Sequence, residues 1–191
     1  VYKRQILNNN RVFGYVFDGF WEDIGTIRRF YEVNLDMAAP DAPFDFYDAE
    51  APIYTHARFL PGSEVYNARL HNVLLADGCR IDSATVSDAV VGLRSIIGEE
   101  AKIKETIVMG ADYYEVEEQK AENAEIGRPN IGIGAHTVIS GAIIDKNARI
   151  GNEVTIRYNP DREDTDQGNW VAVDGIVVVP KNAVIPDGTV I

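Results

Sequence analysis

Cysteine, histidine and positive charge are scarce in this chain. A single cysteine, Cys79, stands among 191 residues. It excludes an intramolecular disulfide, has no CxxC company, and fits a reducing compartment. Of the three histidines, His71 and His136 lack a carboxylate or cysteine partner at ligand spacing and read as surface or structural residues. Basic residues number 18 against 30 acidic ones, a net charge of -12. That balance excludes the basic stripe a nucleic-acid surface needs, while leaving room for a local pocket that takes a small anion. No apolar run approaches the roughly 20 residues that span a bilayer. Residues 1–10 are polar, lack an apolar leader core and begin with Val rather than Met, so the chain reads as cut from a longer one. Neither a G-x-G-x-x-R-like loop nor a Walker A motif occurs.

What the chain has is a period of six. Aliphatic residues step from Leu75 to Ile81, from Val91 to Ile97 to Ile103, and from Ile133 to Ile139. The steps resume from Ile144 to Ile150 to Ile156, and from Val179 to Ile185 to Ile191. Small or acidic residues follow many of them: Ala76, Asp82, Gly92, Gly98. Six is no helix period, since 3.6 residues per turn would smear the row around the cylinder. Hexapeptide repeats instead build parallel β-helices, in which each hexad is one flat face and stacked coils bury a shared apolar ladder. Pro180 and Pro186 are expected at coil corners, where no ladder donor is needed. Cys79 is expected to pack as a small hydrophobe.

Ahead of the repeats, residues 11–20 (RVFGYVFDGF) read as one or two short strands broken by Gly14 and Gly19. An amphipathic helix follows. Ile27, Phe30, Tyr31, Asn34, Leu35 and Ala38 keep helical spacing, with Thr26 as N-cap and Pro40 as the stop. Residues 40–52 are Pro- and Asp-rich and read as a linker. Residues 53–73 are transitional. Two excursions are expected from the solenoid wall: the charged, exposed residues 115–125 and the loop 158–170.

The segments FDGFWEDIGTIRRFYEVNLDM, APIYTHARFLPGSEV, VVGLRS, MGADYYE, AIIDKNARIG and DGIVVVPKNAVIPDGTVI together resemble ADP-glucose pyrophosphorylase (glucose-1-phosphate adenylyltransferase), nearest its cyanobacterial and plant-like branch. The resemblance runs from about residue 11 to residue 191. It implies a mainly β fold: a left-handed parallel β-helix of hexapeptide repeats, preceded by the tail of an α/β nucleotidyltransferase domain. Residues 1–39 would be that tail, 40–52 a linker, and 53–191 the β-helix for regulation and oligomerisation. The implied reaction is ATP plus glucose 1-phosphate to ADP-glucose plus diphosphate, in glycogen or starch synthesis, with Mg²⁺ as cofactor. The family's nucleotide loop and catalytic aspartate lie upstream of what is present, so no catalytic residue is expected here and the chain alone is expected to be inactive.

By the same resemblance, Trp21 lies against glucose 1-phosphate and Asp23 is a metal-binding carboxylate. His56, Arg58, Lys146 and Lys181 form a site for an anionic effector, a sugar phosphate or phosphoglycerate, which several convergent cations would hold. Two positions depart from the family: Ala49 stands where Arg often follows FYD, and His56 where Gln is usual. A histidine is charged only below about pH 6.5. The resemblance further implies a homotetramer assembled through the β-helix, with no nucleic-acid or membrane partner, in the cytoplasm or in a plastid if the source is a plant. Tyr113 and Tyr114 read as packing residues, and Arg94 has Asp112 and Glu115 as its acidic neighbours. A hexapeptide acyltransferase and a non-catalytic regulatory or assembly subunit are the other readings.

Overall fold

A computed structural model describes residues 2–8 and 10–191 of the chain. The polar start and the first proposed domain include Val1 and Asn9, which lie outside the described residues. Helix α1 (Tyr2–Leu7) opens it and was not foreseen from the sequence. Residues 10–25 carry no strand. The expectation of strands at residues 11–20 is therefore corrected. Their apolar residues, Phe13, Tyr15 and Val16 among them, are exposed, and an extended segment without a pairing partner forms no ladder. Helix α2 (Ile27–Asp36) is the amphipathic helix expected, and Thr26 caps it by accepting a 3.1 Å bond from the Arg29 N–H.

Regular strands begin at β1 (Glu64–Tyr66) and continue as β2 (Arg69–Leu75), β3 (Arg80–Asp82), β4 (Thr85–Val91), β5 (Ile96–Ile97) and β6 (Lys102–Val108). Helix α3 (Glu117–Glu125) interrupts them. Then come β7 (Gly132–Ile133), β8 (Val138–Ile144), β9 (Arg149–Ile150) and β10 (Thr155–Arg157). A short hairpin, β11 (Thr165–Asp166) with β12 (Val171–Val173), fills the second excursion before β13 (Ile176–Val179) and β14 (Val184–Ile185).

Strands pair in parallel with the strand one coil away, the mark of a parallel β-helix. Arg69 pairs with Thr85 and Thr85 with Lys102, so these coils advance by 16 and 17 residues. The seven-residue strands each bend once. Asn72, Asp88 and Glu105, with Gly141 below them, take positive φ of 47–72° in mid-strand and drop out of the pairing. That left-handed corner, natural to Asn, Asp and Gly, turns one strand into two walls. The strands β1, β3, β5, β7, β9 and β14 make the remaining wall, the first of each coil, and the bent strands the second and third.

Each wall presents an aliphatic ladder to the interior, and the third adds the buried row Ala89, Thr106, Ala142 and Val177. On the first, Val65, Ile81, Ile97, Ile133, Ile150 and Ile185 are in register. Val86, Ile103, Ile139 and Ile156 form the second, and Val91, Val108, Ile144 and Val179 the third. The six-residue steps of the sequence are thus moves from wall to wall within a coil. Ile81, Ile103, Ile139, Ile156 and Ile185 are no more than 1% exposed, and Cys79 joins them as expected.

The third wall is apolar on its outer side too. Val90, Ile107, Ile143 and Val178 stack outward, and α2 covers them with Ile27, Phe30, Tyr31 and Leu35. This explains the continuous runs AVV, TIVM, AII and IVVV, since a strand buried on both faces does not alternate. Arg28 pairs with Asp174 at 3.3 Å, and the Tyr31 hydroxyl donates to the Glu105 carbonyl at 2.6 Å. Burial raises the Tyr31 pKa above its ordinary value, with Glu105 and Tyr158 adding to it.

Ile139 stacks between Ile103 and Ile156 with no solvent exposure. Ile139→Ala is expected to cost about 2–5 kcal/mol in denaturant unfolding. Leu74→Ala, at the uncovered end of the outer apolar row, should cost less than about 1 kcal/mol.

Candidate effector site at a coil corner

The corner after the third wall recurs in successive coils. The β8–β9 turn carries Lys146 and Asn147, and the β13–β14 turn carries Lys181 and Asn182, 35 residues on. Both asparagines adopt positive φ, 60° and 62°, which lets the chain turn tightly at the corner. Asn147 Nδ2 donates to Asn182 Oδ1 at 3.1 Å, and the Asn182 N–H donates to the Lys146 carbonyl at 3.0 Å. The two lysines preceding these asparagines therefore lie one above the other.

A carboxylate from the coil above joins them. Asp112 follows β6, and its backbone N–H donates to Asn147 Oδ1 at 2.8 Å. Its Oδ1 accepts from Lys146 Nζ at 3.2 Å and its Oδ2 from Lys181 Nζ at 2.6 Å. Asn147 Nδ2 adds a third bond to Oδ2 at 3.1 Å. Lys181 first, then Lys146 and Asn147, hold the Asp112 carboxyl well below the ordinary range, and Asp112 raises Lys181 in return. All three side chains are between 37% and 49% exposed, so solvent and dissolved anions reach them.

Of the four residues expected to bind an effector, the structure brings these two together. His56 and Arg58 lie exposed on an extended segment ahead of β1, and Arg58 Nη1 donates locally to the His56 carbonyl at 3.2 Å. Trp21 is 73% exposed. Asp23 accepts from the Gly25 N–H at 2.9 Å, closing the turn that leads into α2, while the neighbouring Glu22 pairs with Arg29. Among the described residues, no three His, Cys, Asp or Glu side chains gather to hold a metal. An open apolar groove of about 350 Å³ runs beside α2. Ile24, Ile27 and Phe30 line one side, and Ile143, Val178 and Asp145, the residue before Lys146, line the other.

A second polar cluster lies beneath the first excursion. Residues 115–125 are mostly exposed, as expected, but α3 is anchored by Asn123 at 0% exposure and by Glu115, whose side chain is 4% exposed. Glu115 accepts from Arg149 at 2.6 Å, from Asn123 at 2.7 Å and from the Ile131 N–H at 2.7 Å. Burial pushes the Glu115 carboxyl up. The bonds from Ile131, Asn123 and Arg149 outweigh it, and its pKa falls below the ordinary value. Neither Asp112 nor Glu115 was singled out as a functional residue from the sequence. The signal was the dipeptide KN at 146 and again at 181, two corners of one stack. Arg94 pairs with neither acid; its guanidinium donates to the Ala111 carbonyl at 3.3 Å and lies 5.9 Å from the Tyr114 ring centroid.

The sequence matches the family described as the GLGC left-handed parallel beta-helix domain over residues 58–190. It is also 47% identical over 184 residues, 95% of this chain, to the "Glucose-1-phosphate adenylyltransferase small subunit, chloroplastic/amyloplastic" of Triticum aestivum. The chain belongs to the glucose-1-phosphate adenylyltransferase family. Its β-helix is the left-handed one of that family, and the acyltransferase reading falls away. The chain spans 39% of the wheat protein's length. No helix among the described residues is long and apolar enough to cross a membrane.

Because the Glu115 pKa is lowered on folding, its contribution is full above the ordinary glutamate value and is lost as pH falls through the lowered one. Wild-type Tm should therefore fall more steeply below about pH 4 than that of Glu115→Gln. At pH 7, Glu115→Ala strands the Arg149 guanidinium and should cost about 3–5 kcal/mol. Hydrogen exchange would show faster exchange in α3.

Proposed function

We propose that this chain is the regulatory and assembling C-terminal part of a glucose-1-phosphate adenylyltransferase. The whole enzyme would convert ATP and glucose 1-phosphate to ADP-glucose and diphosphate, for starch or glycogen synthesis. The observation that carries the regulatory part is the pair of lysine ammonium groups, drawn from two coils onto one carboxylate. Two cations fixed this close make a receptor for an anion with two oxygens to offer. The ligand would be a phosphoglycerate or sugar phosphate, with Arg58 and His56 joining from their exposed segment when it binds.

Trp21 and Asp23 would face the sugar phosphate in the whole enzyme. Asp23 alone does not make a Mg²⁺ site, which takes further oxygen ligands in octahedral geometry. Its proposed metal role rests on ligands from the rest of the enzyme. What the chain itself supplies at that end is position: the Asp23–Gly25 turn, the Thr26 cap and the seat of α2 on the wall fix where residues 21–23 leave the β-helix. Assembly into a homo-tetramer is supported by β2, a free edge of the larger sheet whose Leu70 and Leu74 are more than a third exposed.

In the enzyme carrying its catalytic domain, Lys181→Ala and Lys146→Ala should each raise the 3-phosphoglycerate concentration for half-activation, on the order of tenfold. Unactivated turnover should be unchanged. Unaltered activation in both variants would remove the lysines from the effector site. The 191 residues alone should show no ADP-glucose formation, and turnover by them would overturn the assignment of catalysis to another part.

A further inference from the structure

Lys146 and Lys181 are not free to receive a ligand as they stand. Each points at a different oxygen of the same side chain, Lys146 at Asp112 Oδ1 and Lys181 at Oδ2. We propose that Asp112 is a built-in competitor for the anion site: its carboxylate occupies the lysine pair when no effector is bound, and an incoming oxyanion must displace it. The proposal rests on the reading of the lysines as an effector site, and it adds the residue that sets the site's affinity.

The geometry narrows the ligand. A carboxylate held by one ammonium at each oxygen marks out a site for a two-oxygen anionic head, and a phosphomonoester or a carboxylate presents the same pair of oxygens. A phosphoryl group has the advantage over Asp112 of greater charge, about -1.5 to -2 at neutral pH, and three acceptor oxygens. The displaced Asp112 carboxylate keeps company: Asn147 Nδ2 already donates to it at 3.1 Å, and solvent reaches it. The swap thus strands no buried charge, so it is reversible at modest cost.

Two further features fit a competitor better than a structural clamp. First, the position of residue 112 does not depend on its carboxylate. Its N–H is held by Asn147 Oδ1, and the preceding Ala111 N–H donates to the Leu93 carbonyl at 2.8 Å. Second, the corner is already braced without the ion pairs, since Asn147 and Asn182 bond to each other and the Asn147 N–H donates to the Gly110 carbonyl at 3.0 Å. Removing the Asp112 charge should therefore free the lysines and leave the coil standing. Asp145 stays nearby as a second anion, its backbone tied into the ladder by the Val179 carbonyl.

The test is calorimetric titration of 3-phosphoglycerate into the chain at fixed salt. The proteins compared are wild type, Asp112→Asn, Lys146→Ala/Lys181→Ala and the triple variant. Expected is a three- to tenfold tighter Kd for Asp112→Asn than for wild type, and loss of that gain in the triple variant. Asp112→Ala serves as a second neutral variant, and the Tm of each confirms folding. Equal or weaker binding by both neutral variants, with binding still dependent on the lysines, would overturn the competitor and make Asp112 a positioning residue instead. Binding indifferent to the lysines, or absent throughout, would overturn the effector-site reading and the competitor with it.

Discussion

Everything in this molecule depends on the inward aliphatic ladders. A single coil of 16 or 17 residues encloses only a few apolar side chains, far too little apolar surface to fold alone. Stability comes only when Ile103 lies on Ile139 and Ile139 on Ile156, and likewise down the other two walls. The same requirement sets register. Slipping one strand by a residue would turn its ladder member to solvent and point its polar neighbour inward. The excursions respect this: α3 and the β11–β12 hairpin leave at corners, and the chain re-enters the ladder with Ile133 opposite Ile97 and Val177 opposite Ala142.

Register along the walls decides what happens at the corners. Because β8 and β13 are locked together, the turns that follow them must stack, and Lys146 must fall near Lys181. Two ammonium groups placed this close repel unless an anion separates them. Within the chain that anion is Asp112, delivered by the coil above. The arrangement shows how a protein of net charge -12 can still bring two ammonium groups together at one corner. Charge at a solenoid corner is set by two or three stacked turns and is indifferent to the total.

The β-helix was legible in the sequence because its period is physical: five or six residues carry the chain from one wall to the next, six wherever the first wall is entered or left in the ladder steps read from the sequence. The α2 helix was legible for the same reason, its apolar face and Thr26 cap standing in consecutive residues. The strands read into residues 11–20 failed because a strand exists only with a partner, and Gly-punctuated aromatic alternation says nothing of where the partner is. Residues 115–125 were legible only in part: most are exposed as expected. Their charges suggested a solvated loop, but Glu115 meets Arg149 and Asn123 meets Asn130 and Arg128 in three dimensions, so polar composition concealed a buried network. At the corner site the lysines could be picked out by resemblance, whereas Asp112, which completes the contact, could not: it lies 34 residues from one lysine and 69 from the other.

Register-locked walls also leave the coils around that corner little freedom. A close-packed ladder has no second arrangement of similar energy, and coupling between sites needs an element that does. The seat of α2 is built differently from the ladder. It rests on the outer side of the third wall through apolar contacts, with the open groove beside Ile24 and Phe30. It is tied at its edge by the exposed Arg28–Asp174 pair, a contact of small strength. Its first residues lead directly from the Trp21–Asp23 turn, and Asp145, next to Lys146, forms part of the groove it borders. One groove thus borders both the segment that follows residues 21–23 and the residue beside Lys146, with the register of the solenoid fixed beneath it.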